Sequence, residues 1–161
     1  MAGRCLRGGC AFGDASLNYT IDANVFVSGA VATDIHHADS QAFLSALRLR
    51  PELVYCPTLV LVEAAAAIAR PTGDAKLAQR ASDLIRWFPN MKLVGLTTAR
   101  ARGAALLAAA HRLRGADTIY VDVAAEFGTT LITWDTEMLQ RGAAVVTTMK
   151  PTDWLAKQPS T

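Results

Sequence analysis

Short apolar runs alternate with longer amphipathic stretches along most of the chain. The short runs are typical of buried strands and comprise 17–21, 53–56, 91–96, 129–133 and 143–148. The stretches with apolar residues at helical spacing are 24–30, 34–49, 59–70, 74–88, 98–113, 117–127 and 136–141. This alternation predicts a three-layer α/β/α fold, in which helices cover both faces of a central parallel sheet. Ligands of such folds bind where the loops meet, beyond the carboxyl ends of the strands.

The same pattern divides the chain into three parts. Residues 1–16 combine glycine, arginine and cysteine without helical or strand periodicity, which is typical of a flexible leader. Residues 17–150 carry the alternating pattern and are expected to form one domain, since no repeat or linker interrupts them. Residues 151–161 are expected to be a C-terminal tail. At 161 residues the chain is long enough to bury a core without disulfides.

Composition restricts the kind of protein further. A net charge of +2 argues against binding of nucleic acid by bulk electrostatics, so any such contact must be local. The three cysteines are an odd number without the paired spacing of a zinc site. No apolar run reaches the roughly 18 residues of a bilayer span, and the glycines at 8, 9 and 13 interrupt any secretory signal. We therefore expect a cytoplasmic protein without a membrane anchor.

Four acidic residues occupy positions that a parallel sheet would bring to one edge. Asp22 and Asp135 directly follow strand-like runs, whereas Glu63 and Asp117 lie near the start of predicted helices. Several carboxylates in one cleft repel each other unless cations neutralise them. Mg²⁺ and Mn²⁺ prefer oxygen ligands, and such ions can activate water for attack on a phosphodiester. The pattern indicates a metal-dependent hydrolase.

The sequence around each acid strengthens this interpretation. The segments are Ile21-Asp22-Ala23-Asn24, Leu61-Val62-Glu63, Arg114-Gly115-Ala116-Asp117 and Ile132-Thr133-Trp134-Asp135. In their order and placement they resemble those of PIN-domain ribonucleases, specifically VapC-like toxins of toxin–antitoxin pairs, over about residues 17–146. The resemblance implies an endoribonuclease that uses Mg²⁺ or Mn²⁺, with all four acids as catalytic and metal-binding residues. It also implies a homodimer and a small antitoxin protein that blocks the site.

The acids differ in how well a purely structural role would explain them. Asp22 matches the first acid of the family, and Asn24 two residues later is positioned to orient ligands or bound water. Glu63 also fits a helix glutamate that balances the helix dipole, although its alanine-rich surroundings suggest burial and favour function.

Two of the acids would also serve as helix N-caps. Asp117 and Asp135 each precede or begin a predicted helix, where an aspartate is favoured without any metal. Thr133 completes a Thr-x-Asp pattern with Asp135, and we expect this pair to support the site more than to ligate directly. Arg112 and Arg114 lie nearest the expected cleft and are candidate contacts for RNA phosphates.

Other polar residues are expected to stay outside the cluster. Asp122 follows Asp117 by five residues, so at about 100° per residue it points some 140° away and should form a salt bridge instead. His36 and His37 have no partner at metal-ligand spacing and are expected at the solvent-facing start of a helix.

Three other functions use comparable residues. A PIN-type nuclease acting in RNA processing or on DNA would use the same acids, but the chain lacks an evident basic arch or clamp for DNA. A phospho-receiver domain needs an acidic pair after the first strand and an acceptor aspartate after the third, and neither is found here. The sequence also fits a catalytically weak domain whose acids bind metal only for stability or partner contact.

Overall fold

The computed structural model describes residues 18–158, and its centre is a five-stranded parallel sheet. The strands are β1 (Tyr19–Ile21), β2 (Val54–Pro57), β3 (Met91–Val94), β4 (Thr130–Ile132) and β5 (Thr148–Met149). Their order across the sheet is β3-β2-β1-β4-β5, and every neighbouring pair is parallel. All residues of β1 and β4 are buried, because helices cover both faces of central parallel strands.

Within the described residues, eight helices flank the sheet and complete the predicted three-layer α/β/α fold. They are α1 (Ala23–Ala30), α2 (His37–Leu47), α3 (Leu59–Thr72), α4 (Ala75–Arg86), α5 (Thr98–His111), α6 (Gly115–Phe127), α7 (Thr136–Arg141) and α8 (Pro151–Ala156). The first four pack mainly against one another, whereas α5 packs on α6 and α6 contacts β1, β2 and β4. Within residues 18–158, no helix combines the length and apolar character needed to cross a membrane.

The end of the chain differs from the expected tail. Helix α8 begins at Pro151, a residue suited to the first turn of a helix because it has no N–H to leave unpaired. The indole of Trp154 is 2% exposed and packs edge-on against Tyr19 and Phe43, with ring centroids 6.1 and 5.0 Å away. The core therefore extends beyond residue 150. The expected leader, 1–16, lies outside the described residues.

The last predicted strand, 143–148, is wrong for most of its length. Residues 142–144 form a 3-10 turn, and the strand comprises only Thr148 and Met149. The carbonyl of Gly142 accepts hydrogen bonds from the backbone N–H groups of Val145 and Val146 at 2.9 and 3.0 Å, so the chain turns there. The two valines still pack against the core, which explains the strand-like apolar pattern.

Candidate active site at the carboxyl edge of the sheet

The candidate site begins where β1 and β4 end side by side. Ile21 pairs with Ile132, so the residues that follow both strands reach the same edge of the sheet. The backbone N–H of Asp22 donates to the carbonyl of Ile132 at 3.0 Å, which continues the ladder by one bond. Asp22 is also the N-cap of α1, because its Oδ1 accepts the N–H of Asn24 at 3.3 Å.

Four hydrogen bonds tie the ends of these strands into one network. The hydroxyl of Thr133 donates to Oδ2 of Asp22 at 2.6 Å and accepts from the amide Nδ2 of Asn24 at 3.0 Å. The same hydroxyl accepts the backbone N–H of Asp135 at 2.9 Å, while Oδ1 of Asn24 accepts the N–H of Trp134 at 3.3 Å. Asn24 and Thr133 thus lie where the sequence predicted supporting residues, and together they fix the Asp22 carboxylate.

Asp22 is the most deeply buried acid of the site, with 6% of its surface exposed. Burial raises its pKa to about 7, and the nearby charges of Glu63 and Asp117 act in the same direction. The hydrogen bonds from Thr133 and the N–H of Asn24 oppose this shift but do not cancel it. A carboxylate in these surroundings favours either a proton or a bound cation.

Asp117 is the third residue of α6, whose N-cap is Arg114, so an N-cap role does not explain Asp117. Its Oδ2 is buried, and among residues 18–158 no donor lies within hydrogen-bond distance of it. Burial, and then the charge of Asp135, raises the pKa of Asp117 to about 6; Arg114 lowers it, while Glu63 and Glu137 raise it. A buried carboxylate oxygen without a donor is costly in a protein unless a cation neutralises it.

Glu63 lies in the second turn of α3 and is oriented by a tyrosine. The Tyr120 hydroxyl donates to its Oε2 at 2.5 Å. Burial and the charges of Asp22 and Glu63 raise the pKa of Tyr120, so the hydroxyl keeps its proton. Tyr120 follows Asp117 by three residues and therefore shares its face of α6. This spacing is the sequence signal by which Tyr120, which we did not predict, could have been found.

Both carboxylate oxygens of Asp135 accept hydrogen bonds from other groups of the protein. Its Oδ1 caps α7 by accepting the N–H of Met138 at 2.8 Å, and its Oδ2 accepts from Arg114 at 3.4 Å. Arg114 also donates to Glu137 at 3.3 Å, which in turn accepts from Arg141 at 2.7 Å. Glu137 is a fifth acid beside the cluster that sequence reasoning missed.

The four predicted acids therefore influence one another electrostatically, but they do not form a closed coordination sphere. Within the described part of the chain, no three His, Cys, Asp or Glu side chains are close enough together to hold an ion. Glu63 and Asp135 face the protein donors Tyr120 and Met138 instead. The unpartnered Oδ2 of Asp117 and the raised pKa of Asp22 nevertheless fit a divalent cation, which would bind carboxylate oxygens.

The basic residues near the cleft differ in position. Arg114 lies beside the acids and is 65% exposed, so it is accessible to a phosphate. Arg112 is exposed and ends α5 with a φ of 56°, and its carbonyl accepts a hydrogen bond from Arg141. Only Arg114 of the two donates to an acid of the site in the described structure.

Of the residues expected outside the cluster, Asp122 forms the predicted salt bridge, whereas the two histidines are more buried than expected. Asp122 pairs with Arg100 at 2.5 Å, which confirms it as a salt-bridge partner. The two histidines are half-buried rather than solvent-facing. His36 stacks on Trp134, with ring centroids 4.0 Å apart and planes 7° apart, and His37 Nδ1 lies 3.0 Å from the carbonyl of Ser28. The prediction missed these contacts because each joins a histidine to another element: Trp134 follows β4, and Ser28 lies in α1.

The protein thus belongs to the class of α/β/α proteins with a parallel sheet and a cluster of acidic residues beyond the ends of two adjacent strands. The family model for the PIN domain matches residues 19–144. The chain belongs to the PIN domain family, which confirms the family resemblance drawn from its sequence.

Several solved structures share this fold, among them a toxin and toxin–antitoxin complexes. VapC20 of Mycobacterium tuberculosis, described as a sarcin-ricin loop cleaving toxin, has a TM-score of 0.67 and 18% identity over 78% of this chain and 95% of its own. VapBC2 of Rickettsia felis, solved with a promoter DNA fragment, has a TM-score of 0.64 and 13% identity over 83% and 98%. PAE2754 of Pyrobaculum aerophilum has a TM-score of 0.64 and 19% identity over 90% and 97%. No curated protein sequence shows significant similarity to the chain.

Proposed function

We propose that this protein is a metal-dependent endoribonuclease and the toxin of a toxin–antitoxin pair. The observation that carries the proposal is the buried Oδ2 of Asp117, which has no donor among the described residues and lies in a cluster with Asp22. An acidic cluster that needs a cation, at the ligand-binding edge of a parallel sheet, is suited to phosphodiester hydrolysis.

Asp22, Asp117 and Glu63 would hold Mg²⁺ or Mn²⁺, and Asp135 would support the site from its position as helix cap. When bound, the ion would lower the pKa of the attacking water and offset the negative charge of the phosphate. Thr133 and Asn24 fix the carboxylate of Asp22, and Tyr120 fixes that of Glu63. These contacts hold the acids in one orientation, as supporting hydrogen bonds do in metal sites.

Arg114 and Arg112 would contact the phosphates of the substrate. Arg114 is the stronger candidate, because its guanidinium lies within 3.4 Å of Asp135 and is largely exposed. A guanidinium in this position can neutralise a phosphate next to the one being cleaved. RNA is preferred over DNA because VapC20, which shares the fold, is described as cleaving the sarcin-ricin loop.

Two apolar surfaces support the proposed protein partners. A groove of about 330 Å³ between α1, α2, α3 and α4 is lined mainly by apolar side chains, among them Phe26, Leu44 and Leu84, and would take an apolar segment of an antitoxin. A second apolar surface lies on α5, where Leu106 is 75% exposed and the exposed residues Ala109 and Ala110 share its face of the helix. We assign this second surface to a homodimer, since apolar side chains exposed this far favour self-association.

The enzyme proposal is tested by cleavage of RNA and of DNA of the same sequence, with Mg²⁺, with Mn²⁺ or with EDTA. We expect cleavage of RNA only, and only with a metal ion. Asp22→Asn and Asp117→Asn should lose at least about a hundredfold in rate. Asp122→Asn is the matched control, because that aspartate lies on the same helix as Asp117 but pairs with Arg100. An inactive wild type, or normal cleavage by both variants, would contradict the proposal.

The toxin role is tested in growing cells. Expression of the wild type should arrest growth, Asp22→Asn should not, and the product of the adjacent gene should restore growth. Leu84→Glu should weaken that rescue, whereas Leu106→Glu should convert a dimer to a monomer in light scattering. Growth unaffected by an active nuclease would favour a role in RNA processing.

A further inference from the structure

Trp134 lies next to the acid cluster and is held in one orientation. It stands in the chain between Thr133, which donates to Asp22, and Asp135, which caps α7. Its indole Nε1 donates to the hydroxyl of Ser40 at 2.8 Å, and its backbone N–H donates to Asn24. The side chain is half-buried, so part of it remains in contact with solvent.

His36 extends this surface. Its ring lies parallel to the indole of Trp134, with centroids 4.0 Å apart and planes 7° apart. The backbone N–H of His36 donates to Oδ1 of Asp34 at 2.8 Å, which fixes the residue just before α2. Ile35 beside it is 89% exposed. We call Trp134 and His36 the ring pair.

We propose that the ring pair is a binding surface for an unpaired base of the RNA substrate, next to the bond that is cleaved. This inference rests on the proposed function. Proteins recognise single-stranded RNA largely by stacking splayed bases on aromatic side chains, and a base so held contributes a substantial part of the affinity. The two rings are already parallel and are held by hydrogen bonds. Stacking a base on them would therefore cost little conformational entropy of the side chains.

The position of the ring pair relative to Arg114 and the acids supports the same inference. Arg114 approaches the acids from the start of α6, whereas the ring pair lies on the side formed by α1 and α2. A phosphate at the acids would then have both a guanidinium and the stacking rings near it. The ring pair would therefore hold the base of the nucleotide beside the cleaved bond.

The test compares four proteins: wild type, Trp134→Leu, Trp134→Phe and Trp87→Leu. Trp87→Leu is the matched control, because that tryptophan is 76% exposed and its ring faces Arg86 rather than the site. Each protein is titrated in EDTA, where no cleavage occurs, with a cleavable RNA oligonucleotide and with versions that lack one base at each position in turn. Ser40→Ala removes the hydrogen bond to the indole but keeps the ring. Thermal unfolding shows whether each variant is folded.

We expect wild type and Trp87→Leu to lose about tenfold in affinity when one particular base beside the cleaved bond is missing. Trp134→Leu should bind the intact oligonucleotide about tenfold more weakly and be insensitive to that missing base, whereas Trp134→Phe should regain most of the preference. If Trp134→Leu does not fold, His36→Ala replaces it with the same expectation. An equal effect of the missing base in wild type and the variant would overturn the ring-pair proposal, even if RNA is cleaved. Base-dependent binding without any metal-dependent cleavage would contradict only the proposed nuclease function.

Discussion

The two halves of the candidate site are built in different ways. The half at the strand ends, with Asp22, Asn24 and Thr133, is a closed network in which each carboxylate oxygen of Asp22 has a donor. The half on the helices, with Glu63 and Asp117, depends on one tyrosine hydroxyl and leaves the Oδ2 of Asp117 without a donor among the described residues. The first half sets the geometry, and the second is where a cation is most needed.

The largest expected effect concerns the free energy of unfolding without metal. Because folding raises the pKa of Asp22 to about 7 and that of Asp117 to about 6, the folded state binds protons more tightly than the unfolded state. The resulting stability is present at low pH and is lost as the pH rises through these values. In EDTA, we expect the protein to be roughly 3 kcal/mol less stable at pH 8 than at pH 5.5.

Urea unfolding at both pH values measures this difference. Asp22→Asn should flatten the pH dependence more than Asp117→Asn does, because Asp22 is the more buried of the two. Asp122→Asn is the matched control, since that residue lies on the same helix as Asp117 but pairs with Arg100. Mg²⁺ at pH 8 should restore the lost stability by binding the ionised carboxylates. Greater stability at pH 8 than at pH 5.5 without metal would contradict the assigned electrostatics.

A smaller effect is expected when the strand-end network is opened. Thr133→Val keeps the shape of the side chain but removes the donor to Asp22, the acceptor for Asn24 and the acceptor for the Asp135 N–H. We expect a 10- to 100-fold loss in Mg²⁺ affinity or cleavage rate, as for other residues that orient metal ligands. Thr133→Ser retains the hydroxyl and should keep most of the activity. Equal losses in both variants would show that the methyl group matters instead.

Much of the strand-end half follows from sequence patterns, whereas the helix half follows only in part. Asp22 and Asp135 come directly after apolar runs, and parallel strands end at the same edge of a sheet, so their proximity is predictable. Glu63 and Asp117 depend on how α3 and α6 rotate against the sheet. That rotation is decided by packing among residues distant in sequence. The spacing from Asp117 places Tyr120 on the same face of α6, but it does not predict that its partner is Glu63, 57 residues away.

The same reason explains the elements that were misplaced. The apolar residues Val145 and Val146 are half-buried against the core, as they would be in either a strand or a tight turn, so their pattern cannot distinguish the two. Helix α8 has six residues, too few for a clear amphipathic period, and its place in the core depends on Trp154 meeting Tyr19 and Phe43. Local patterns predict which residues are buried more reliably than they predict the partners of those residues.

The smallest expected effect concerns the single hydrogen bond that orients the helix half. Tyr120→Phe removes the donor to Glu63 while keeping the buried ring, so the free energy of unfolding should fall by only about 1 kcal/mol. Glu63 would then be free to turn, and we expect a loss of several-fold in Mg²⁺ affinity, measured by calorimetry. Tyr55→Phe is the matched control, since that ring stacks on Phe127 away from the acids. If Tyr120→Phe binds Mg²⁺ as tightly as wild type, Glu63 does not need a fixed orientation. The contrast between the two halves would then reduce to the burial of Asp22 and the unpartnered oxygen of Asp117.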